Sequence, residues 1–269
     1  MKISPKGRYY GTQDLKTSFK EIVMTQYEYT IETTPWHYHE NPYFMFVLHG
    51  NMIDRNKRVK SLLPTGSLMF NNWQEEHYGV RDSTTAGGFH LEFEKKWFKS
   101  TGVDIDVFEG SQLIEDPQIH IPFAKLYYEF IIADQYSEVS IELLLLQICD
   151  ALATAKRINQ KSVPAWIDKL KEILQYDTSN LSLQYLSEQL QVHPVHISRV
   201  ASKYLSVSLG EYIRQIKLKR AIPLVLHSDY LLTEIAYAAG FSDQSHFNRT
   251  FKHYLGLSPG RYRRNLRKE

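Results

Sequence analysis

The sequence predicts an α+β chain: an N-terminal β-barrel, a helical connecting segment and an all-α C-terminal part. Three observations carry this. Up to about residue 115, short apolar or aromatic runs alternate with turn signals. From about Pro122 the apolar period changes to that of a helix. In the last hundred or so residues the chain repeats itself at an offset of 50.

In the first part, Tyr43-Phe44-Met45-Phe46-Val47-Leu48 and Ser67-Leu68-Met69-Phe70 read as strands. His49-Gly50-Asn51, Pro64-Thr65-Gly66 and Gly87-Gly88 are turn signals beside them. Short strands so closely spaced favour a barrel or sandwich over residues 1–115. The middle part, 116–161, carries two helical stripes: Phe123, Leu126, Tyr127, Phe130 and Ile131, then Ile141, Leu144, Leu145, Ile148 and Leu152. Such broad apolar faces either cover the barrel or pair with the same helices of a second chain, and both can hold together. The stretch from Asn159 to Pro164 reads as a linker into the third part, 162–269.

Bulk properties narrow the function classes. Of 269 residues, 43% are hydrophobic and 23% charged, which is ordinary for a globular protein. Met1 to Lys16 has no apolar core of a signal peptide, and no apolar run approaches a membrane span, so a cytoplasmic address with no membrane role is expected. The single cysteine, Cys149, excludes an internal disulfide and reads as a small buried apolar residue in a helix. The net charge of +2 hides an asymmetry. From Ser162 onward there are 15 Lys and Arg against 9 Asp and Glu, while the rest has 17 against 21. A basic C-terminal part suggests a polyanionic partner, although basic faces are often merely solvated.

The repeat is the strongest signal. Ser208-Leu209-Gly210-Glu211-Tyr212-Ile213-Arg214 recurs as Ser258-Pro259-Gly260-Arg261-Tyr262-Arg263-Arg264, with Arg199, Tyr204 and Leu205 matching Arg249, Tyr254 and Leu255. Leu186 and Val192 match Ile235 and Phe241 at an offset of 49, so the second copy has one extra residue near its turn. Each copy reads as helix, tight turn, helix. In the second, Leu232, Ile235, Ala236 and Ala239 form a stripe before Gly240, and Ser242 or Asp243 caps the next helix. That helix buries Phe247, Phe251, Tyr254 and Leu255, leaving Gln244, Ser245, His246 and Arg249 in front. The first copy has Leu183, Leu186 and Leu190, then Pro194 at the first helical position. Ile197, Val200 and Tyr204 are expected inward, with Val195, Ser198 and Arg199 outward. An apolar back and an Arg/Gln/Ser front suit a DNA major groove, where Arg pairs bidentately with guanine and Gln with adenine. The bland alternative is a helical bundle with a polar surface.

The run Leu232-Thr233-Glu234-Ile235-Ala236-Tyr237-Ala238-Ala239-Gly240-Phe241-Ser242-Asp243-Gln244-Ser245-His246-Phe247 closely resembles the signature of the AraC/XylS family. So does its continuation through Arg249-Thr250-Phe251-Lys252 to Ser258-Pro259-Gly260-Arg261-Tyr262-Arg263. The likeness covers about Trp166 to Arg264. It implies a transcription regulator with two helix-turn-helix subdomains joined by a long helix, about Leu209 to Leu226. Carried over by position, the DNA-binding residues are Val195, Ser198, Arg199, Gln244, Ser245, His246 and Arg249. An activator that contacts RNA polymerase is one expectation, with activation against repression left open by the sequence, and a homodimer through the helices around Pro122 to Arg157 is another. Three positions depart from the pattern: Ala201 where a large aromatic is usual, Ser206 where glycine is usual, and Pro223, which should kink or end the linking helix.

In the N-terminal part, Trp36-His37-Tyr38-His39-Glu40, His49-Gly50, Pro64-Thr65-Gly66 and His77 resemble a degraded cupin pattern. In that fold three histidines and a glutamate bind a metal, but here the glutamate position falls near Tyr43 or Phe44 and Glu40 is too close to His39 to fill it. Strand alternation puts His37 and His39 on one face. Three neutral imidazoles could hold zinc or iron, could line a metal-free pocket, or could serve only in packing. The reading adopted is a ligand pocket of His37, His39, Tyr43, Trp73 and His77, with no metal and no cofactor, for a small molecule such as a sugar. The expectation is therefore a ligand-responsive regulator that is not an enzyme. The rivals are a metal-binding cupin enzyme fused to a DNA-binding domain, and a constitutive DNA binder whose barrel only dimerises.

Overall fold

The computed structural model describes residues 2–72, 75–104, 110–159, 162–177 and 181–267. Trp73 lies outside them. The fold class is α+β, as predicted. The chain divides into two compact units, one of Met1–Glu115 with Leu126–Cys149, the other of Asp116–Lys125 with Asp150–Glu269.

The first unit holds two sheets. A six-stranded sheet has the order β11 (Gln112–Ile114), β8 (Leu68–Asn71), β5 (Tyr43–His49), β10 (Gly87–Phe93), β3 (Ile22–Glu28), β2 (Thr12–Phe19). A five-stranded sheet has the order β1 (Lys2–Ser4), β4 (His37–His39), β9 (His77–Arg81), β6 (Met52–Asn56), β7 (Lys60–Leu63). The near-continuous apolar run of β5 follows from burial on both faces. Tyr43, Met45 and Val47 join Tyr27, Met52 and Leu63 in a core fed by both sheets. On the opposite face Phe44 meets Phe70 and Phe93 at ring separations of 5.1 and 6.1 Å. After the short helix α1 (Lys95–Thr101) come α2 (Pro117–Ile132) and α3 (Ser137–Asn159). Tyr127 and Phe130 of α2 pack on Phe89 at 5.2 and 5.0 Å, and the Tyr127 hydroxyl donates to Gln26 at 3.0 Å. These helical residues therefore cover the barrel, one of the two roles the stripes allowed. Cys149 is buried, and burial pushes its thiol up to about 12.

The second unit is helical: α4 (Ala165–Tyr176), α5 (Leu183–Leu190), α6 (Pro194–Leu205), α7 (Leu209–His227), α8 (Leu232–Ala238), α9 (Gln244–Leu255) and α10 (Pro259–Arg267). The duplication is visible in the backbone. Gln191 after α5 and Gly240 after α8 are both left-handed, at φ 53° and 86°, and stand 49 residues apart. Ser206 after α6 and Gly256 after α9 are left-handed at φ 61° and 80°, 50 apart. The extra residue thus lies between Gly240 and the start of α9. Asp243 caps that helix, its carboxylate accepting the His246 N–H at 2.7 Å, and Ser242 bonds to Asp243 at 3.0 Å. In α6 the ring of His193 accepts the Val195 N–H at 3.3 Å, and Pro194 is the first helical residue.

Two expectations change. The inward row of α6 is Ile197, Ala201 and Leu205, with Val200 and Tyr204 half-buried at its edges. Ala201 is fully buried. Pro223 does not end the linking helix, which runs to His227 with Ala221, Ile222, Val225 and Leu226 buried around the proline. Packing of that face outweighs the lost hydrogen bond.

Candidate nucleic-acid interface and barrel pocket

The two second helices of the repeat, α6 and α9, have apolar backs and polar fronts. Val195 is 64% exposed, and Ser198, Arg199, Ser245 and Arg249 are exposed beside it or at its counterpart. Gln244 and His246 are half-buried, and each is tethered. The Gln244 carbonyl accepts from the Thr233 hydroxyl of α8 at 2.7 Å. The His246 ring sits edge-on to Phe241 at 5.3 Å. Burial, then Lys217, lowers the His246 pKa, so its imidazole is neutral at pH 7 and keeps an acceptor nitrogen. Lys217 lies 5.9 Å from the Phe241 ring centre, placing a cation near the start of α9. All seven positions carried over from the family pattern thus lie on α6 and α9.

In the barrel, four of the five residues read as ligand-binding meet in one cavity: His37, His39, Tyr43 and His77. Its volume is about 50 Å³. β4 buries His37 and His39 and turns Tyr38 away, as alternation predicted. His77 of β9 stands directly opposite His37 in the strand register. Nδ1 of His37 donates to the Pro35 carbonyl at 2.8 Å, and Nδ1 of His77 to the Glu75 carbonyl at 3.1 Å. Tyr43 donates to His77 Nε2 at 3.2 Å. Burial is the first cause of the lowered histidine pKa values, with His37 at about 4 and His39 and His77 also lowered. All three are neutral at physiological pH.

Sequence reasoning missed several lining groups. Tyr9 stacks on His90 at 3.6 Å, and the Tyr29 hydroxyl bonds to His90 Nε2 at 3.0 Å. Gly88 permits this, since a Cβ there would lie 2.0 Å from the Tyr29 hydroxyl. Asp54 of β6 is buried, 4.0 Å from His77 Nε2, and burial followed by Glu75 pushes its carboxyl up to about 7. Buried Glu92 accepts from the Gly7 N–H at 2.7 Å, the Tyr9 hydroxyl at 3.2 Å and the Asn41 amide at 2.8 Å. Alternation along β6 was a signal for Asp54; β10 is buried on both faces, so no periodicity marked His90 and Glu92.

The donor set fits a metal. Ligand atoms of His37, His39 and His77 all lie within 4.8 Å of one another; the Nδ1 tethers leave Nε2 as the unprotonated nitrogen of His37 and His77, and that of His77 accepts the Tyr43 hydroxyl. Tyr43 stands where the cupin glutamate is expected, and Phe44 points into the opposite core.

Residues 186–265 match a family described as a helix-turn-helix domain. The Msm operon regulatory protein of Streptococcus mutans is 29% identical over 110 residues, which is 40% of this chain and 39% of that protein. The transcriptional activator AarP of Providencia stuartii is 34% identical over 86 residues, 32% of this chain and 64% of AarP. Among solved structures, the C-terminal domain of the response regulator AraT from Geobacillus stearothermophilus is 29% identical, with a TM-score of 0.37, over 39% of this chain and 88% of that one. The chain spans about two-fifths of the first relative's length. Its C-terminal unit is a helix-turn-helix DNA-binding domain. The matched relatives that share this region carry the names of regulators or activators.

Proposed function

We propose that the protein is a transcription regulator that reads double-stranded DNA with α6 and α9 and senses a small polar molecule in its barrel. The observation that carries this is the pair of matched turns, left-handed at Gln191 and Gly240, each followed by a helix with a polar, exposed front. Val195, Ser198 and Arg199 form one reading surface; Gln244, Ser245, His246 and Arg249 form the other. In such domains successive major grooves lie about 34 Å apart. The second surface is the stronger reader, because the Thr233 and Phe241 contacts hold Gln244 and His246 in place before DNA arrives.

The division of labour follows the sequence: residues 1–115 sense, 116–161 connect and dimerise, and 162–269 bind DNA. A stripe of Val139, Leu143 and Leu146 on α3, 60, 64 and 45% exposed, supports a homodimer. His37, His39, Tyr43 and His77, with Trp73, bind the effector, and binding shifts the population of DNA-competent states. The cavity admits only a few heavy atoms, so a sugar requires it to open. Activation through RNA polymerase, a cytoplasmic address and the lack of catalysis complete the reading. The rival, a metal-dependent enzyme on a DNA-binding domain, has the three imidazoles in its favour and Tyr43 in the glutamate position against it.

The test is selection from random duplexes with the wild type, Arg199→Ala and Arg249→Ala. Each variant should lose preference at its own base, by about 1–3 kcal/mol of discrimination. Unchanged preferences in both variants would remove the groove assignment.

A further inference from the structure

We propose that the occupant of the barrel pocket is a small aliphatic amine, a cation of a few heavy atoms whose ammonium group sits on Asp54. This ligand class rests on the sensor reading of the barrel and sharpens it. Charge selects the cation. The Asp54 side chain is 8% exposed and lines the cavity, 4.0 Å from Nε2 of His77. His77 is neutral at physiological pH, its pKa lowered first by burial, so it supplies no countercharge. Among the described residues no lysine or arginine lines the cavity. Glu92, which accepts from the Tyr9 hydroxyl of the lining, and Glu75 near Asp54 add to the negative field. A carboxylate held at this depth without a cation carries a desolvation cost that a bound ammonium would offset. An anion would meet the same carboxylate with nothing to balance it.

Hydrogen-bonding capacity selects the same class. Nδ1 of His37 and Nδ1 of His77 spend their protons on the Pro35 and Glu75 carbonyls, and Tyr43 donates to His77. Tyr9 donates to Glu92. What remains is mostly lone pairs: Nε2 of His37, the phenol oxygen of Tyr43 and the Asp54 oxygens. His39, 2% exposed, lines the cavity too, and among the described residues its Nδ1 has no hydrogen-bond partner. An ammonium group brings donors and no acceptor to such a wall. The rings suit it as well. Tyr9, Tyr10, Tyr29 and Tyr43 line the cavity, and Tyr10 already meets one cation, with Lys2 Nζ 5.5 Å from its ring centre. At about 50 Å³, against about 10–15 Å³ for one water, the cavity holds roughly three to five heavy atoms.

Ethanolamine and ethylene glycol are of one size and differ in ammonium against hydroxyl; glycolate carries the opposite charge. Each is titrated against the full-length chain in chelator at fixed ionic strength, with binding read by saturation-transfer NMR. Ethanolamine should bind at least about tenfold more tightly than ethylene glycol, the worth of one charge-assisted hydrogen bond, and glycolate should not bind. Asp54→Asn should weaken ethanolamine by at least about tenfold and leave ethylene glycol nearly unchanged. Glu138→Gln, at the exposed start of α3, should bind as the wild type does. Far-UV circular dichroism checks folding. Asp54→Ser replaces Asp54→Asn if that variant misfolds, and the wild type's preference for amine over diol is an independent test. Ethylene glycol or glycolate binding as tightly as ethanolamine, or undiminished ethanolamine binding in Asp54→Asn, would overturn the amine and leave the sensor reading standing. No binding by any of the three would overturn the proposal together with the sensor reading of a cavity this size.

Discussion

Ser206 and Gly256 close α6 and α9 at equivalent positions of the repeat, and exchanging their residue types tests the duplication energetically. Ser206 has φ 61° and ψ −6°, and Gly256 has φ 80° and ψ −17°. A Cβ added at Gly256 meets nothing within 4 Å, so any cost of a side chain there is local backbone strain. A non-glycine residue in this region costs about 1–2 kcal/mol. Glycine gives back about 0.4–1 kcal/mol through the greater freedom of the unfolded chain. The difference predicts that Ser206→Gly stabilises the C-terminal unit by about 0.5–1 kcal/mol and Gly256→Ser destabilises it by the same amount. At about 4–8 °C per kcal/mol for a domain of roughly 100 residues, melting followed at 222 nm should move about 2–8 °C up and down respectively. Urea midpoints should move with m unchanged. The double variant should return close to wild type, because the residues share no partner. Neither change touches the reading surfaces, so base preference should persist. A lower midpoint for Ser206→Gly, or a silent Gly256→Ser, would refute the reasoning.

Further outcomes follow from the same structure. Leu143→Glu places a charge in the exposed stripe of α3 and should shift sedimentation from dimer to monomer with the melting temperature unchanged; an unaltered dimer would place the interface elsewhere. Arg220 donates to the carbonyls of Leu174, Gln175 and Asp177 at 2.7, 3.0 and 2.8 Å, closing the end of α4. Arg220→Ala should cost about 1.5–3 kcal/mol in urea denaturation, and a loss under 0.5 kcal/mol would mean that water replaces those bonds. Burial lowers His90 to about 3, against a backbone hydrogen bond at Thr25 that raises it. Its folded pKa lies below the unfolded one, so its contribution is present above about pH 6.5 and lost as pH falls toward 3. His90→Gln should therefore flatten the stability profile of the barrel in that window by about 1.4 kcal/mol per pH unit. A slope equal to wild type would show that His90 titrates normally.

The C-terminal unit was legible because its signals are local. Helix caps, left-handed closures and the period of buried residues are written within a few positions of each other. An offset of 49 before the turn and 50 after it marks an insertion without any structure. What sequence could not supply was how tightly a helix packs. Val200 and Tyr204 looked inward by spacing alone, yet the seam runs through Ile197, Ala201 and Leu205, one residue every four. Pro223 read as a breaker because the rule counts one hydrogen bond. The helix continues past it to His227, with four buried neighbours around the proline.

The barrel pocket was legible only in part, and the reason is topological. His37 and His39 share a strand, so period-2 alternation joined them before any fold was known. His77 was added by the resemblance. Asp54 of β6, His90 of β10 and Tyr9 come from three other segments, and the fold brings them to the same cavity, with Glu92 beside Tyr9. Such non-local sets leave no spacing to read, but they leave a physical trace. Polar side chains stand buried within the strands: Asp54 and Asn56 in β6, His90 and Glu92 in β10. A fold buries so many ionisable groups around one cavity at a cost in desolvation, and each costs more when left unpaired. Glu92 offsets its cost with three donors and His90 with Tyr29. Among the described residues Nδ1 of His39 has no hydrogen-bond partner, and burial followed by Glu75 pushes the Asp54 carboxyl up to about 7. The uncompensated groups therefore identify where a charged or strongly polar occupant would contribute most to stability.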